Sequence, residues 1–197
     1  MMRIGVLAVQ GAFAEHIHVM GGLGAECVEL RQKSDLEVPF DGLILPGGES
    51  TVQGKLIREL DMYDSLKERI TAGMPVLATC AGMILLAENL ASDDTVHFGT
   101  LPVTVRRNAY GRQLGSFYTE ETFGELGMVP MTFIRAPYIE KVTPEVEVLA
   151  RVDGNIVGVR YKNQIAVSFH PELDGDRKIH RWFAALCGGE SYLPRKA

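Results

Sequence analysis

Short apolar runs alternate with amphipathic stretches through the first half of the chain. Residues 3–9, RIGVLAV, are apolar after the arginine, the mark of a strand buried on both faces. GAFAEHIHVMGGLG predicts a helix running up to its glycines, and AECVELR a second strand. FDGLILPGGES predicts a third strand, stopped by Pro46-Gly47-Gly48. Helices over roughly 51–60 and 62–72, a strand in PVLATC and a helix in AGMILLAENL continue the series. Strands alternating with helices in this way predict an α/β fold with a parallel sheet covered on both faces.

The second half reads differently. TLPVTVRRN, SFYTEETF and MTFIRAP are strand-like, with no clear helix between them. VEVLARVDGNIVGVRYKNQIAVSFHPE divides into three strands at Asp153-Gly154 and Lys162-Asn163, an antiparallel meander. DRKIHRWFAALC predicts a closing amphipathic helix. No linker, repeat or low-complexity tract interrupts the pattern, so residues 1–197 read as one domain.

Composition adds exclusions. A net charge of −5, with no long basic run, argues against broad binding to nucleic acid or anionic membranes. Cys27, Cys80 and Cys187 are odd in number and widely spaced. They make neither a disulfide framework nor a zinc pattern, and they suit a reducing cytosol. The apolar run at the start is too short for a signal peptide and is broken by Gln10. No run approaches the ~20 apolar residues of a membrane span.

Three places could carry chemistry. Cys80 falls where the strand of VLATC turns into a helix, and small Ala81 and Gly82 let that turn be tight. Such a turn exposes a nucleophile at the strand's C-terminal end and aims the next backbone N–H at the same spot. Read alone, the stretch fits a buried structural cysteine equally well. SFHPE supplies partners. Pro171 pushes His170 toward extended backbone, and in extended chain Glu172 shares its side. A carboxylate beside an imidazole fixes its tautomer, which makes Cys80, His170 and Glu172 a candidate triad. LILPGGEST ends on the same sheet edge. It fails the spacing of a phosphate loop, because Gly48 to Gly54 is one residue too long and Leu56 follows Lys55. It suits an oxyanion hole, or a plain β-to-α turn. Gln10-Gly11 could line the same edge. Arg106, Arg107 and Arg135 are strand-borne cations, in ion pairs or available to a substrate carboxylate. His16, His18 and His180 read as structural or surface residues, and Cys27 and Cys187 as packing.

The stretches GVLAVQGAFAEH, LILPGGEST, TCAGMI, VRRNAYGRQLGSF, FIRAP and SFHPEL resemble the class I glutamine amidotransferases. Within that class they are most similar to the glutaminase subunits of pyridoxal 5′-phosphate synthases. VRRNAYGRQ and FIRAP are the most specific segments. Ala78 stands where the family usually has Gly, and HPELD replaces the more usual HPELT.

The resemblance implies a three-layer, flavodoxin-like, mostly parallel sheet with an antiparallel C-terminal meander. It implies hydrolysis of L-glutamine to glutamate and ammonia through a γ-glutamyl thioester, with Cys80 as nucleophile, His170 as base and acid, and Glu172 as its orienter. Glutamine would contact Gly48, Glu49, Ser50, Arg107, Ile134 and Arg135. Gly47, Gly48 and Ala81 would form the oxyanion hole. The ammonia would pass to a (β/α)₈ synthase subunit in a cytoplasmic hetero-oligomeric complex, and this chain would need neither metal nor cofactor. A cysteine peptidase on a related fold would share Cys80 and His170 without the two specific segments. A non-catalytic regulatory subunit would have no use for an intact triad.

Overall fold

Strands without a polar face form the centre of the molecule, and the helices lie over them. The computed structural model describes residues 1–107 and 116–190. Their elements are β1 (Arg3–Leu7), α1 (Phe13–Gly22), β2 (Glu26–Leu30), β3 (Gly42–Leu45), α2 (Ser50–Glu59), α3 (Tyr63–Thr71), β4 (Val76–Thr79), α4 (Ala81–Leu86) and β5 (Ala87–Leu90). They continue with β6 (Leu101–Arg106), β7 (Ser116–Thr122), β8 (Met128–Ile134), β9 (Tyr138–Val142), β10 (Glu147–Val152), β11 (Asn155–Tyr161), β12 (Gln164–Val167) and α5 (Lys178–Cys187).

β2, β1, β3, β4 and β12 lie side by side in that order, all parallel, the flavodoxin-like arrangement expected. Every residue of β3, β4 and β12 is buried, because both faces are covered. Side chains alternate between two cores. Leu43, Leu45 and Ala78 face Ile57, Leu66 and Met83 of α2, α3 and α4. Ile4, Val6, Ile44, Leu77 and Val167 face Met20 of α1 and Trp182 and Phe183 of α5.

Beyond β12 the sheet turns antiparallel through β11 and β9 to β6, with β10 also paired to β11. The turns of this meander carry Asp153 (φ 49°), Gly154 (φ 81°) and Lys162 (φ 53°), the left-handed backbone that tight hairpins demand. β7 and β8 form a separate two-stranded ribbon, with Phe117 stacked on Phe133 at 4.5 Å.

Two segments differ from expectation. AGMILLAENL is helical only to Leu86; Ala87–Leu90 then pairs with β6 as a bulged parallel strand. Ala87 and Leu90 are buried while Glu88 and Asn89 are exposed, an i, i+3 spacing that suits a helix as well as a strand with a bulge. β9 lies outside the segments the pattern marks, although it pairs with both β6 and β11. Residues 108–115 of the VRRNAYGRQLGSF motif lie outside the described residues.

Candidate active site

The C-terminal ends of β3, β4 and β12 converge, and each delivers one part of the site. After β4 the chain reverses within one residue. Cys80 has φ 49° and ψ −104°, a strained conformation for a side chain of this kind. Its N–H still bonds the sheet at Val167 O (2.8 Å), while its carbonyl accepts from Met83 N–H (3.1 Å) of α4. Gly82 makes this possible: a Cβ there would lie 2.0 Å from Leu45 O. The sharp strand-to-helix turn anticipated from VLATCAG is therefore present, and Cys80 is buried, with its Sγ 4.0 Å from Ile134 O.

After β12 the chain reaches His170, whose N–H bonds Thr132 O of β8 at 2.8 Å. His170 Nδ1 lies 2.6 Å from Glu172 Oε1. The two are neighbours as expected, but by a different route. Pro171–Leu173 closes into a 3₁₀ turn, so Glu172 curls back to the ring instead of continuing an extended strand. Burial opposes a proton on His170, yet hydrogen bonds to Cys80 and Glu172 and their negative charges outweigh it. The imidazole is pushed up to about 10.

After β3 comes the glycine turn. The Gly47 N–H donates to Thr79 Oγ1 (3.1 Å) and the Gly47 carbonyl accepts from Ala12 N–H (3.0 Å). Gly48 has φ 155°, and Glu49 N–H donates to Gln10 Oε1 at 2.9 Å. The expectation that Gly47 supplies an oxyanion donor meets this bond, since its N–H is already spent on Thr79. Gly47 has another role here. A Cβ on it would stand 2.4 Å from His170 Cε1, so its bare Cα is the surface on which the imidazole rests.

These parts enclose a cavity of about 700 Å³. Its lining includes Cys80, Ala81 and His170, the Gly47–Ser50 turn, and Arg107, Ile134 and Arg135. Glu172 stands behind His170. Arg107 Nη2 donates to Ser50 Oγ (3.2 Å) and Thr51 Oγ1 (2.9 Å), and its Nη1 lies 3.6 Å from Asp93. Arg106 turns away and pairs with Glu140 at 2.6 Å. Arg135 follows β8 with φ 46°. Cys27 and Cys187 are both remote from the pocket lining, and burial pushes the Cys187 thiol up to about 12.

His16 and His180, read from the sequence as structural or surface residues, are fully buried, as are Thr79 and Gln53, which sequence reasoning did not single out. His16 had a signal. It shares the inward stripe of α1 with Val19 and Met20 at i, i+3, i+4 spacing, so the pattern points an imidazole at the core. Among the described residues no group of three or more His, Cys, Asp or Glu side chains is arranged to hold a metal ion.

The architecture and the thiol turn together define the class, that of the glutamine amidotransferases. A solved structure described as a glutamine amidotransferase matches with a TM-score of 0.89 and 43% identity, over 94% of this chain and 98% of that one. At finer grain, the model of the SNO glutamine amidotransferase family matches residues 6–188, and the chain belongs to that family. Among curated relatives it is 68% identical to the pyridoxal 5′-phosphate synthase subunit PdxT of Desulfitobacterium hafniense, over 97% of this chain and 96% of that protein. It is 51% identical to the subunit of the same name from Haemophilus influenzae, over 94% of this chain and 98% of that one.

Proposed function

We propose that this chain, a single domain over residues 1–197, hydrolyses L-glutamine to L-glutamate and ammonia and hands the ammonia to a synthase subunit that makes pyridoxal 5′-phosphate. The observation that carries the reading is the buried His170–Glu172 pair at 2.6 Å beside a strained Cys80, all opening on one cavity. The relatives' shared description as pyridoxal 5′-phosphate synthase subunits gives the ammonia its destination.

The steps follow from the geometry. The proton of Cys80 already rests on His170, whose imidazole is pushed up to about 10, and the sulfur attacks the side-chain amide carbon as thiolate. Ala81 is the first residue of α4, so its N–H has no acceptor within the helix and is available to the oxyanion. Gly48 N–H is the second donor; it lies on the opposite edge of the peptide plane from the Gly47 carbonyl that the Ala12 N–H holds. His170 then gives its proton to the departing ammonia, and Glu172 stabilises the imidazolium between the two transfers. Water, deprotonated by His170, releases glutamate from the thioester. Arg107 and Arg135 bind the charged amino-acid end of glutamine, with Glu49, Ser50 and Ile134 completing its pocket. The chain works in the cytoplasm in a hetero-oligomer with a (β/α)₈ partner, without metal or cofactor.

The test is ammonia release from L-glutamine with and without the cognate synthase subunit, for wild type and Cys80→Ala. Wild type should be active with the partner and the variant inactive. Activity that survives in the variant refutes the nucleophile, and activity on peptides or esters in place of glutamine refutes the substrate.

A further inference from the structure

Behind the triad lies a second layer of buried polar groups that the reaction steps above leave unused. His16 of α1, Thr79 at the end of β4 and His180 of α5 are each wholly inaccessible to solvent. His16 Nδ1 lies 3.0 Å from His180 Nε2, and the two rings are 5.2 Å apart. His16 Nε2 lies 3.2 Å from Thr79 Oγ1 and 3.4 Å from Glu172 Oε2. That carboxylate oxygen is buried and has no hydrogen-bond partner among the described residues. Its mate, Oε1, is the one that holds His170. Thr79 Oγ1 in turn accepts the Gly47 N–H. One imidazole therefore touches both the acid of the triad and the hydroxyl that fixes the glycine turn.

Counting protons decides how this cluster is arranged. Burial, with the positive charge that His180 and His170 would set against it, holds His16 well below its usual range, so it is neutral and carries one N–H. Burial, together with Arg177, holds His180 down to about 4, and it is neutral as well. An ionised Glu172 can only accept. If the proton of His16 sat on Nδ1, the lone pair of Nε2 would face a carboxylate oxygen already lacking a donor. With the proton on Nε2, the N–H donates to Thr79 Oγ1 and its positive end faces Glu172 Oε2 at 3.4 Å, and Nδ1 accepts from His180 Nε2–H. His180 Nδ1 is then a neutral lone pair, buried without a partner, while Glu172 Oε2 faces an N–H in place of a second lone pair. A neutral lone pair is far cheaper to strand than an anionic oxygen.

We infer that His16, fixed as its Nε2–H tautomer by His180, is a positioning residue of the glutaminase site, tethering Glu172 and, through Thr79, the Gly47 end of the oxyanion turn. It touches no residue expected to bind glutamine directly, so it acts on turnover and leaves substrate affinity alone. The inference rests on the triad reading proposed above. It adds that the orientation of His170 and the conformation of the glycine turn are set by one shared group.

Gln and Asn substitutions separate this role from simple core packing. The amide nitrogen of Gln reaches the place of Nε2, that of Asn only the place of Nδ1. In the complex with the synthase subunit, His16→Leu should lower kcat for L-glutamine about 10- to 100-fold with KM unchanged, the effect of losing an N–H that faces a buried carboxylate and bonds the Thr79 hydroxyl. His16→Gln should restore most of that loss and His16→Asn should not. Unchanged kcat in His16→Leu, or a rank order that follows melting temperature with Asn equal to Gln, overturns the inference. Nitrogen-15 NMR of the wild-type chain tests it with no substitution at all: His16 must be protonated at Nε2, and protonation at Nδ1 overturns it. Cys80→Ala serves as the control. If that variant releases ammonia, the triad and this inference fall together. If it is dead while His16→Leu is fully active, only this inference falls.

Discussion

Gly47→Ala is the smallest change that should disable the site without touching a residue of the triad. Gly47 is not among the residues with left-handed backbone, so alanine imposes no conformational strain there. The penalty is steric. The new methyl would stand 2.4 Å from His170 Cε1, 3.1 Å from Nδ1 and 3.4 Å from Cys80 Cβ. Carbon atoms in contact settle about 3.5–4.0 Å apart, so the ring must retreat by about 1 Å. The Nδ1–Glu172 Oε1 bond, now 2.6 Å, would be stretched or bent as it did so. A misplacement of about 1 Å in a reacting group costs roughly 10²-fold in rate. Overpacking should cost about 1–3 kcal/mol of stability, less than the whole of a normal fold's margin. Steady-state ammonia release with the partner subunit, beside a thermal melt, measures both. A folded Gly47→Ala protein with wild-type kcat would refute the claim that the imidazole needs that bare Cα.

Other outcomes follow from the same geometry. His170→Asn should be as damaging as Cys80→Ala, and Glu172→Gln less so, because a base moves the proton while its orienter only tunes it; turnover of the three variants ranks them. Arg107→Ala and Arg135→Ala should raise KM for glutamine by about 10- to 100-fold, and Arg106→Ala, whose side chain pairs with Glu140, should not; Michaelis curves for the three decide. Acid should destabilise the fold as pH falls from about 6.5 through about 4, because the unfolded chain then takes up a proton that folded His180 refuses, at a cost of roughly 3 kcal/mol. His180→Gln, which keeps an N–H toward His16, should flatten that part of the urea-midpoint profile.

The parallel core was legible because its physics is local. β1, β3, β4 and β12 are short, mostly apolar and buried on both faces, and β3 and β4 each run straight into a turn of small residues. Pro46-Gly47-Gly48 and Cys80-Ala81-Gly82 could be placed on one edge because parallel strands share a direction. What local pattern could not decide was the segment after Leu86. The all-buried helix before it gives no periodicity to extend, the buried Ala87 and Leu90 flank exposed Glu88 and Asn89 at a spacing that suits helix and bulged strand alike, and pairing with β6 decided it. β9 escaped for a related reason: only one of its five residues, Ile139, is fully buried, so its pairing, more than its composition, makes it a strand.

Of the proposed site, the meeting of Cys80, His170 and Glu172 was legible, since a tight turn and a His-Pro-Glu tripeptide each carry their geometry within a few residues. The supports behind them were not. Thr79, His16 and His180 come from β4, α1 and α5, and His16 lies 164 positions from the partner that sets its tautomer. The pattern along α1 places an imidazole on the inward stripe with Val19 and Met20. It says nothing of what that imidazole meets, because the meeting is made by the sheet that brings α1 and α5 to the same face. A buried polar side chain on an apolar stripe is costly unless something satisfies it. Here the satisfying groups are another neutral histidine, the Thr79 hydroxyl and the far oxygen of Glu172. Those contacts tie α1 and α5, on one face of the sheet, to the triad proposed at its edge.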